Sequence, residues 1–160
     1  MPAETRPLTK LHPFAAIRRA VSADVASLVH LEQAVFEMEQ LTARSFRRYI
    51  AHDRADVIVA ERTDGIVAYG ITAHRAGSAQ SRLISLATAT RATARGIGTL
   101  LLETLHELAS LRGMTCMSLE VRRDNAAALS LYERLGYRMI GEKPHYYADF
   151  CDALVLQRSL

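Results

Sequence analysis

The sequence predicts a mixed α/β (α+β) domain in which a mostly antiparallel sheet of about seven strands is flanked by about four helices. Three observations carry this. Strand-like and helix-like segments follow one another in the order β-α-α-β-β-β-α-β-α-β-β. Hairpin signals dominate the first half and strand-helix-strand crossovers the second, which makes the sheet mixed. Finally, 160 residues with 49% hydrophobic and 23% charged side chains can bury roughly two-thirds of their unfolded surface in one core. Residues 1–13 read as a flexible lead-in and residues 14–160 as the single domain.

"AIRRAV" alternates like a strand and is followed by Ser22 and Asp24, residue types that start helices by accepting from free N–H groups. Val25, Leu28, Leu31 and Val35 then recur at helical spacing. A short second helix begins near Thr42 and runs through "ARSFRRYI". "DVIVAER" and "IVAYGITAH" are β-rich runs joined by the hairpin turn Thr63-Asp64-Gly65, and "SRLISLAT" (81–88) is the next strand. The following helix sets Leu101, Leu105, Leu108 and Leu111 on one face and stops at Gly113. In the strand "CMSLEV" (116–121), Met117, Leu119 and Val121 face one way and Cys116, Ser118 and Glu120 the other. "DNAAALSLYERLGY" is a helix capped by Asp124 or Asn125 and ended by Gly136; "YRMIGE" and "DALVLQ" are the closing strands.

Net charge is +3, and Lys10 and Lys143 are the only lysines. The arginines are spread along the chain without interleaved aromatics, and tryptophan is absent, so no nucleic-acid-binding face is expected. Cys116 and Cys151 lie too far apart for a metal-ligand pair, and neither a disulfide framework nor a zinc site is indicated. A metal-free protein of the reducing cytoplasm is the expectation. No apolar run approaches the ~20 residues that span a bilayer, and the first residues lack the apolar centre of a signal peptide.

"RATARGIGTLLL" (91–102) puts two glycines where a helix should begin. Glycine in a helix costs about 1 kcal/mol relative to alanine, so another requirement has to justify the pair. A helix N-terminus exposes unpaired N–H groups and partial positive charge, and glycines there let phosphate oxygens approach the amides. A nucleoside triphosphate loop is excluded, because Gly98 is followed by Thr99-Leu100 rather than by Lys and a hydroxyl residue. A dinucleotide stays open: Gly96-x-Gly98 lies between strand and helix, and the next strand carries Glu120. The pyrophosphate of coenzyme A is the third candidate.

The segments "LISLATATRATARGIGTLLL", "SLEVRRDNAAALSLYERLGYRMIGE" and "HYYADFCDALVLQRSL" resemble the GCN5-related N-acetyltransferase (GNAT) superfamily. The resemblance runs from about Ala15, is strongest from residue 83 onward, and within the superfamily is nearest the ribosomal-protein-alanine N-acetyltransferase type. It implies a GNAT fold and transfer of an acetyl group from acetyl-CoA to a primary amine by direct attack in a ternary complex. The implied acceptor is the α-amine at a protein or peptide N-terminus, and homodimers occur among similar proteins. A small-molecule amine acetyltransferase, a non-catalytic CoA-binding module and, last, a dinucleotide-binding protein are the alternatives.

Carried over position by position, the resemblance makes Thr93-Ala94-Arg95-Gly96-Ile97-Gly98-Thr99 the pyrophosphate loop. It pairs the backbone of Leu86, Ala87 and Thr88 with the pantetheine arm, and sets Asn125 against the cofactor, although a helix cap accounts equally well for this asparagine. Glu120 becomes the group that takes a proton from the substrate ammonium, through water; the competing reading is an ion pair with a neighbour such as Arg122 or Arg123. An α-amino group, with pKa near 7.7 to 8, asks only modest help. Tyr132 becomes the acid that protonates the departing thiolate, against the alternative of plain core packing. Tyr146 and Tyr147 would line the peptide entrance or else merely cover a sheet edge, and "LEQAVFEMEQLTARSF" corresponds to the substrate-side loop.

Overall fold

The structure, a computed structural model, describes residues 8–160. Its strands are β1 (Thr9–Leu11), β2 (Ala16–Arg19), β3 (Ala55–Arg62), β4 (Gly65–His74), β5 (Gln80–Thr88), β6 (Cys116–Arg122), β7 (Arg138–Lys143) and β8 (Ala153–Ser159). Its helices are α1 (Val25–Val35), α2 (Ala43–Ala51), α3 (Ile97–Leu111) and α4 (Ala126–Arg134). All eight strands form one sheet in the order β1-β2-β3-β4-β5-β6-β8-β7, and only β5 and β6 are parallel neighbours.

The seven expected strands and four expected helices are present, and the eighth strand is β1. It falls in the segment read from sequence as a lead-in: Thr9–Leu11 pairs with Ala16–Arg18, and Lys10 forms an ion pair with Glu107 on α3. Three residues are too short to show a period, which hides such a strand from sequence. Residues 1–7 lie outside the described residues. Another correction concerns Leu111, which is 83% exposed. It is the last residue of α3, and the buried face is instead Ile97, Leu101, Leu102, Leu105, Leu108 and Ala109.

Helix starts follow side-chain chemistry. The Thr42 hydroxyl accepts from Ser45 N–H at 3.2 Å, and the Asn125 carbonyl accepts from Ala128 N–H at 3.1 Å. Ser22 and Asp24 sit inside a 3-10 turn, where the Asp24 carboxylate reaches back to Val21 N–H at 2.8 Å.

Alternation in the central strands feeds two cores. Ile58 and Ala60 join Leu101, Leu105, Met117, Leu119 and Tyr132 beneath α3 and α4. Val57 and Val59 join Leu28, Leu31, Phe46 and Tyr69 beneath α1 and α2. A sheet covered on both faces accounts for the near-continuous apolar run in β3. A Cβ on Gly70 would stand 2.8 Å from Leu105 Cδ1, so glycine is what lets α3 settle onto β4.

One irregularity creates the site. β5 and β6 pair only at Gln80–Cys116, Ser81–Met117 and Arg82–Ser118, and beyond these residues the two strands part. β5 stays paired to β4 through Thr88, and β6 stays paired to β8 through Arg122. The fork follows a bulge: the register jumps from Ile71–Ser85 to Thr72–Leu83, leaving Ile84 as the extra residue. A bulge bends its strand and sharpens its twist, so β5 turns away from β6 there.

Candidate active site

The fork opens a cleft of roughly 740 Å³ whose walls come from β5, β6, α4 and the loops after α1 and β7. It gathers Leu86, Glu120, Asn125, Tyr132, Tyr146 and Tyr147 from segments distant in sequence. Ala87 is not in its wall: it is buried beneath α1 and α2. The parting of the strands leaves the β6-facing edge of β5 free to pair with an extended ligand.

Residues 93–99 lie past the β5 end of this cleft. A Cβ on Gly98 would meet Thr88 Oγ1 at 3.8 Å and Leu131 Cδ2 at 3.7 Å, which places the start of α3 between the end of β5 and α4. Ala94 has φ 60° and Gly96 has φ 74°. Left-handed backbone at a non-glycine residue costs on the order of 1 kcal/mol or more, and such strain collects at binding sites. Among the described residues, no protein oxygen accepts from the N–H groups of Arg95, Gly96, Ile97, Gly98 or Thr99. Five bare amides at the N-terminus of a 15-residue helix make a row of donors that an anion could fill. Thr93 is outside it in one respect, because its hydroxyl donates to Thr90 O at 2.9 Å.

Tyr132 is 8% exposed, and its ring packs edge-on to Tyr137 with centroids 5.6 Å apart. Burial, with Tyr147 nearby, raises its hydroxyl above the usual tyrosine pKa, so the proton stays on the oxygen at neutral pH. That is the state a proton donor must have.

Glu120 does form ion pairs, but with other partners than sequence proximity suggested. Arg82 on β5 donates to Oε2 at 3.0 Å through Nε, and Lys143 at the end of β7 donates to Oε1 at 2.7 Å. Arg122 instead pairs with Asp124 and Asp149, and Arg123 with Glu142. Burial opposes the charged form of Glu120, yet Lys143 and Arg82 outweigh it and hold the carboxyl below the ordinary glutamate pKa. A carboxylate matched by two cations is a firm anion and a weak base.

Asn125 spends its carbonyl on the helix cap, while its Nδ2 donors face no acceptor among the described residues. Tyr146 and Tyr147 stand edge to face, centroids 5.1 Å apart, with Lys143 over the first ring and Arg122 over the second. Burial, then Tyr146 and Glu120, push the Tyr147 hydroxyl up to about 12. The loop after α1 supplies the facing wall, and Glu39 crosses the cleft to accept from Ala148 N–H at 2.8 Å. Sequence reasoning missed Arg82, Lys143 and Glu39. An arginine two residues into a strand and a lysine before a proline carry no motif, so the only signal is strand register.

Among the described residues no helix is long and apolar enough to cross a membrane. The model of the Acetyltransferase (GNAT) family matches residues 25–137. An uncharacterised protein of Mycobacterium leprae is 31% identical over 161 residues, covering 97% of this chain and 44% of that protein. The [ribosomal protein bS18]-alanine N-acetyltransferase of Salmonella typhimurium is 45% identical over 53 residues, 33% of this chain and 36% of that enzyme. Each of these matches thus spans less than half the length of the curated relative. The crystal structure of the ribosomal-protein-S18-alanine N-acetyltransferase from Escherichia coli superposes with a TM-score of 0.82 at 26% identity, covering 91% of this chain and 94% of that one.

Proposed function

The chain belongs to the GNAT family of acetyltransferases, and from that premise we propose that it transfers an acetyl group from acetyl-CoA to the α-amine of a protein or peptide N-terminus, by direct attack in a ternary complex. The observation that carries this is the row of unpartnered amides from Arg95 to Thr99 at the start of α3, beside the end of β5 and α4, two elements that also wall the cleft containing Tyr132. The likeness to enzymes that acetylate a ribosomal-protein alanine supports the acceptor class.

Bound acetyl-CoA supplies the activated acetyl thioester. The amides of Arg95–Thr99 take its diphosphate, the free edge of β5 at Leu86 and Thr88 takes the amide groups of its arm, and Asn125 Nδ2 adds a donor. Tyr132 gives the proton that the departing sulfur requires. Glu120, whose charge Arg82 and Lys143 already balance, offers the incoming ammonium a hydrogen-bond acceptor without a net attraction, and Tyr146 and Tyr147 flank its approach. Neither Cys116 nor Cys151 lines the cleft, which favours direct attack over transfer through an acylated cysteine.

The test is thermal melting with acetyl-CoA, CoA and NADH side by side, followed by a thiol-release screen. At a ligand concentration of 100 Kd, binding adds about 2.7 kcal/mol of stability, which moves the midpoint of a domain this size by roughly 5–10 °C. Acetyl-CoA and CoA should produce that shift, and stabilisation by NADH alone would revive the dinucleotide reading. In the screen, N-terminal peptides should release thiol. Release with polyamines or aminoglycosides only would mark a small-amine enzyme, and tight binding without release a non-catalytic CoA-binding module.

Gly96 offers a sharper check. Asparagine and aspartate both tolerate left-handed backbone, and a Cβ there meets nothing within 4 Å. Gly96→Asp sets a carboxylate on the diphosphate site, whereas Gly96→Asn adds the same bulk without charge. Calorimetric titration with CoA should show Kd raised at least tenfold further by Asp than by Asn, with similar melting temperatures in the absence of ligand.

A further inference from the structure

The cleft holds a second carboxylate that the chemistry above leaves unused. Glu32 on α1 is 2% exposed, yet it borders the cleft. Its Oε1 accepts from Leu41 N–H at 2.9 Å, and its Oε2 accepts the Tyr69 hydroxyl. Tyr69 on β4 is fully buried, and its oxygen lies 2.8 Å from Ser85 Oγ. Ser85 is partly exposed and stands in the cleft wall, one residue beyond the β5 bulge. These three groups form an unbroken hydrogen-bonded line from the cleft surface to an interior carboxylate.

We propose that Ser85, Tyr69 and Glu32 conduct a proton out of the cleft, so that Glu32, acting through the two hydroxyls, is the acceptor of the proton shed by the substrate ammonium. The inference rests on the acetyltransferase reading and assigns its proton path. An ammonium beside Ser85 gives a proton to Oγ as Ser85 passes its own to the Tyr69 oxygen and Tyr69 passes its own to Glu32. Three O–H bonds form as one N–H and two O–H bonds break, leaving a neutral amine and a neutral carboxyl. Amide formation frees a second nitrogen proton, which replaces the one Tyr132 gives to sulfur. Glu32 then returns its proton to solvent along the same line.

The surroundings suit this better than those of Glu120. Glu120 is neutralised by Arg82 and Lys143, whereas no cation pairs with Glu32 among the described residues. The groups facing Glu32 are Tyr69 from β4 and the Leu41 amide from the loop after α1, and the Tyr69 ring is in turn held edge-on by Phe46 from α2. Across the cleft stand the Arg82–Glu120–Lys143 cluster and Tyr147. Burial raises the Glu32 carboxyl above the ordinary range, and the hydrogen bonds from Leu41 and Tyr69 offset this only in part. Burial keeps Tyr69 protonated, as a relay requires.

Two measurements test the path. In the free protein, infrared difference spectra against pH should reveal a carboxyl carbonyl band that vanishes in Glu32→Gln. Its midpoint should lie above the ~4.3 of an ordinary glutamate, and its frequency should shift in Tyr69→Phe. A band titrating in the ordinary range, or indifferent to Tyr69→Phe, overturns the path whether or not the protein acetylates anything. In thiol-release assays, Ser85→Ala should lower kcat/KM about tenfold at pH 7, where roughly a tenth of an α-amine is already neutral. The deficit should vanish above about pH 9, and Ser85→Thr should restore the wild-type profile. A loss independent of pH, or no rescue by threonine, means that Ser85 only shapes the wall and overturns the proposal. Failure of the wild type itself to release thiol counts against the acetyltransferase reading, with the infrared result standing apart from it.

Discussion

Tyr132→Phe is expected to lower kcat by about a hundredfold while leaving KM and the Kd for CoA nearly unchanged. Loss of a positioned proton donor costs 10²–10⁴-fold. The lower end applies because a thiol near pKa 8.5 leaves without strong assistance. Binding should survive because the substitution removes one oxygen from a ring whose packing against Tyr137 and α3 does not use it. No protein group hydrogen-bonds the Tyr132 oxygen among the described residues, so its removal orphans no buried partner and stability should change by less than about 1 kcal/mol. Steady-state kinetics paired with calorimetric CoA binding separate the outcomes. A fall in CoA affinity matching the fall in kcat would make Tyr132 a wall residue, and unchanged kcat would hand the proton to another group.

Much of this arrangement was legible in the chain, for identifiable reasons. The order of elements follows from periods of 2 and 3.6, which local sequence carries in full. Glu120 and Tyr132 could be named because "SLEVRRDNAAALSLYERLGY" resembles the GNAT superfamily position by position; alternation and helical spacing alone left Glu120 open to an ion pair and Tyr132 to core packing. The irregular start of α3 was legible because a glycine pair at a helix N-terminus needs a reason beyond helix propensity, and Gly96 takes left-handed backbone there.

What escaped depends on register between distant strands. Arg82, on the last rung before β5 and β6 part, reaches Glu120 two residues beyond its rung partner Ser118, and Lys143 arrives from a strand that follows β8 in the sheet. Ser85 meets Tyr69 only because the bulge at Ile84 shifts β5 by one residue, and a one-residue shift exchanges the faces of every side chain beyond it. Nothing in "SRLISLAT" marks Ile84 as the extra residue. The chemistry of single residues could be read, but not the pairing that turns an exposed-looking arginine into the partner of a site carboxylate.

The largest effect on stability is expected away from the cleft, at the closed end of the fork. Asp56 on β3 is fully buried and accepts from Arg19 at 2.7 Å, from Arg112 at 2.9 and 3.0 Å, and from His74 at 2.9 Å. His74 in turn contacts Ser81 Oγ at 2.7 Å, in the three-residue stretch where β5 and β6 still pair. Removing one partner of a buried ionic cluster costs about 3–5 kcal/mol, because the charges left behind have no replacement. The exposed third of Arg112 and of Arg19 can turn to water, which puts Asp56→Ala near the lower figure, about 3 kcal/mol. At 2–4 °C per kcal/mol for a domain this size, the melting midpoint should fall by roughly 6–12 °C. The pH dependence has a definite sign. Burial resists ionisation of Asp56, but His74, Arg112 and Arg19 overcome it and depress the folded carboxyl far below its unfolded value. The stability it contributes is therefore complete above about pH 5 and is lost progressively as acid drives the pH down through ~3.9 and below. Asp56→Ala should accordingly flatten the acid limb of a stability–pH curve while leaving its neutral part uniformly lower. Because this cluster braces the rungs from which β5 diverges, the variant should also loosen the cleft: amide exchange at Gln80–Arg82 and Cys116–Ser118 should accelerate ahead of the rest of the sheet. Wild-type melting behaviour with an unchanged acid limb would show that the buried carboxylate braces nothing.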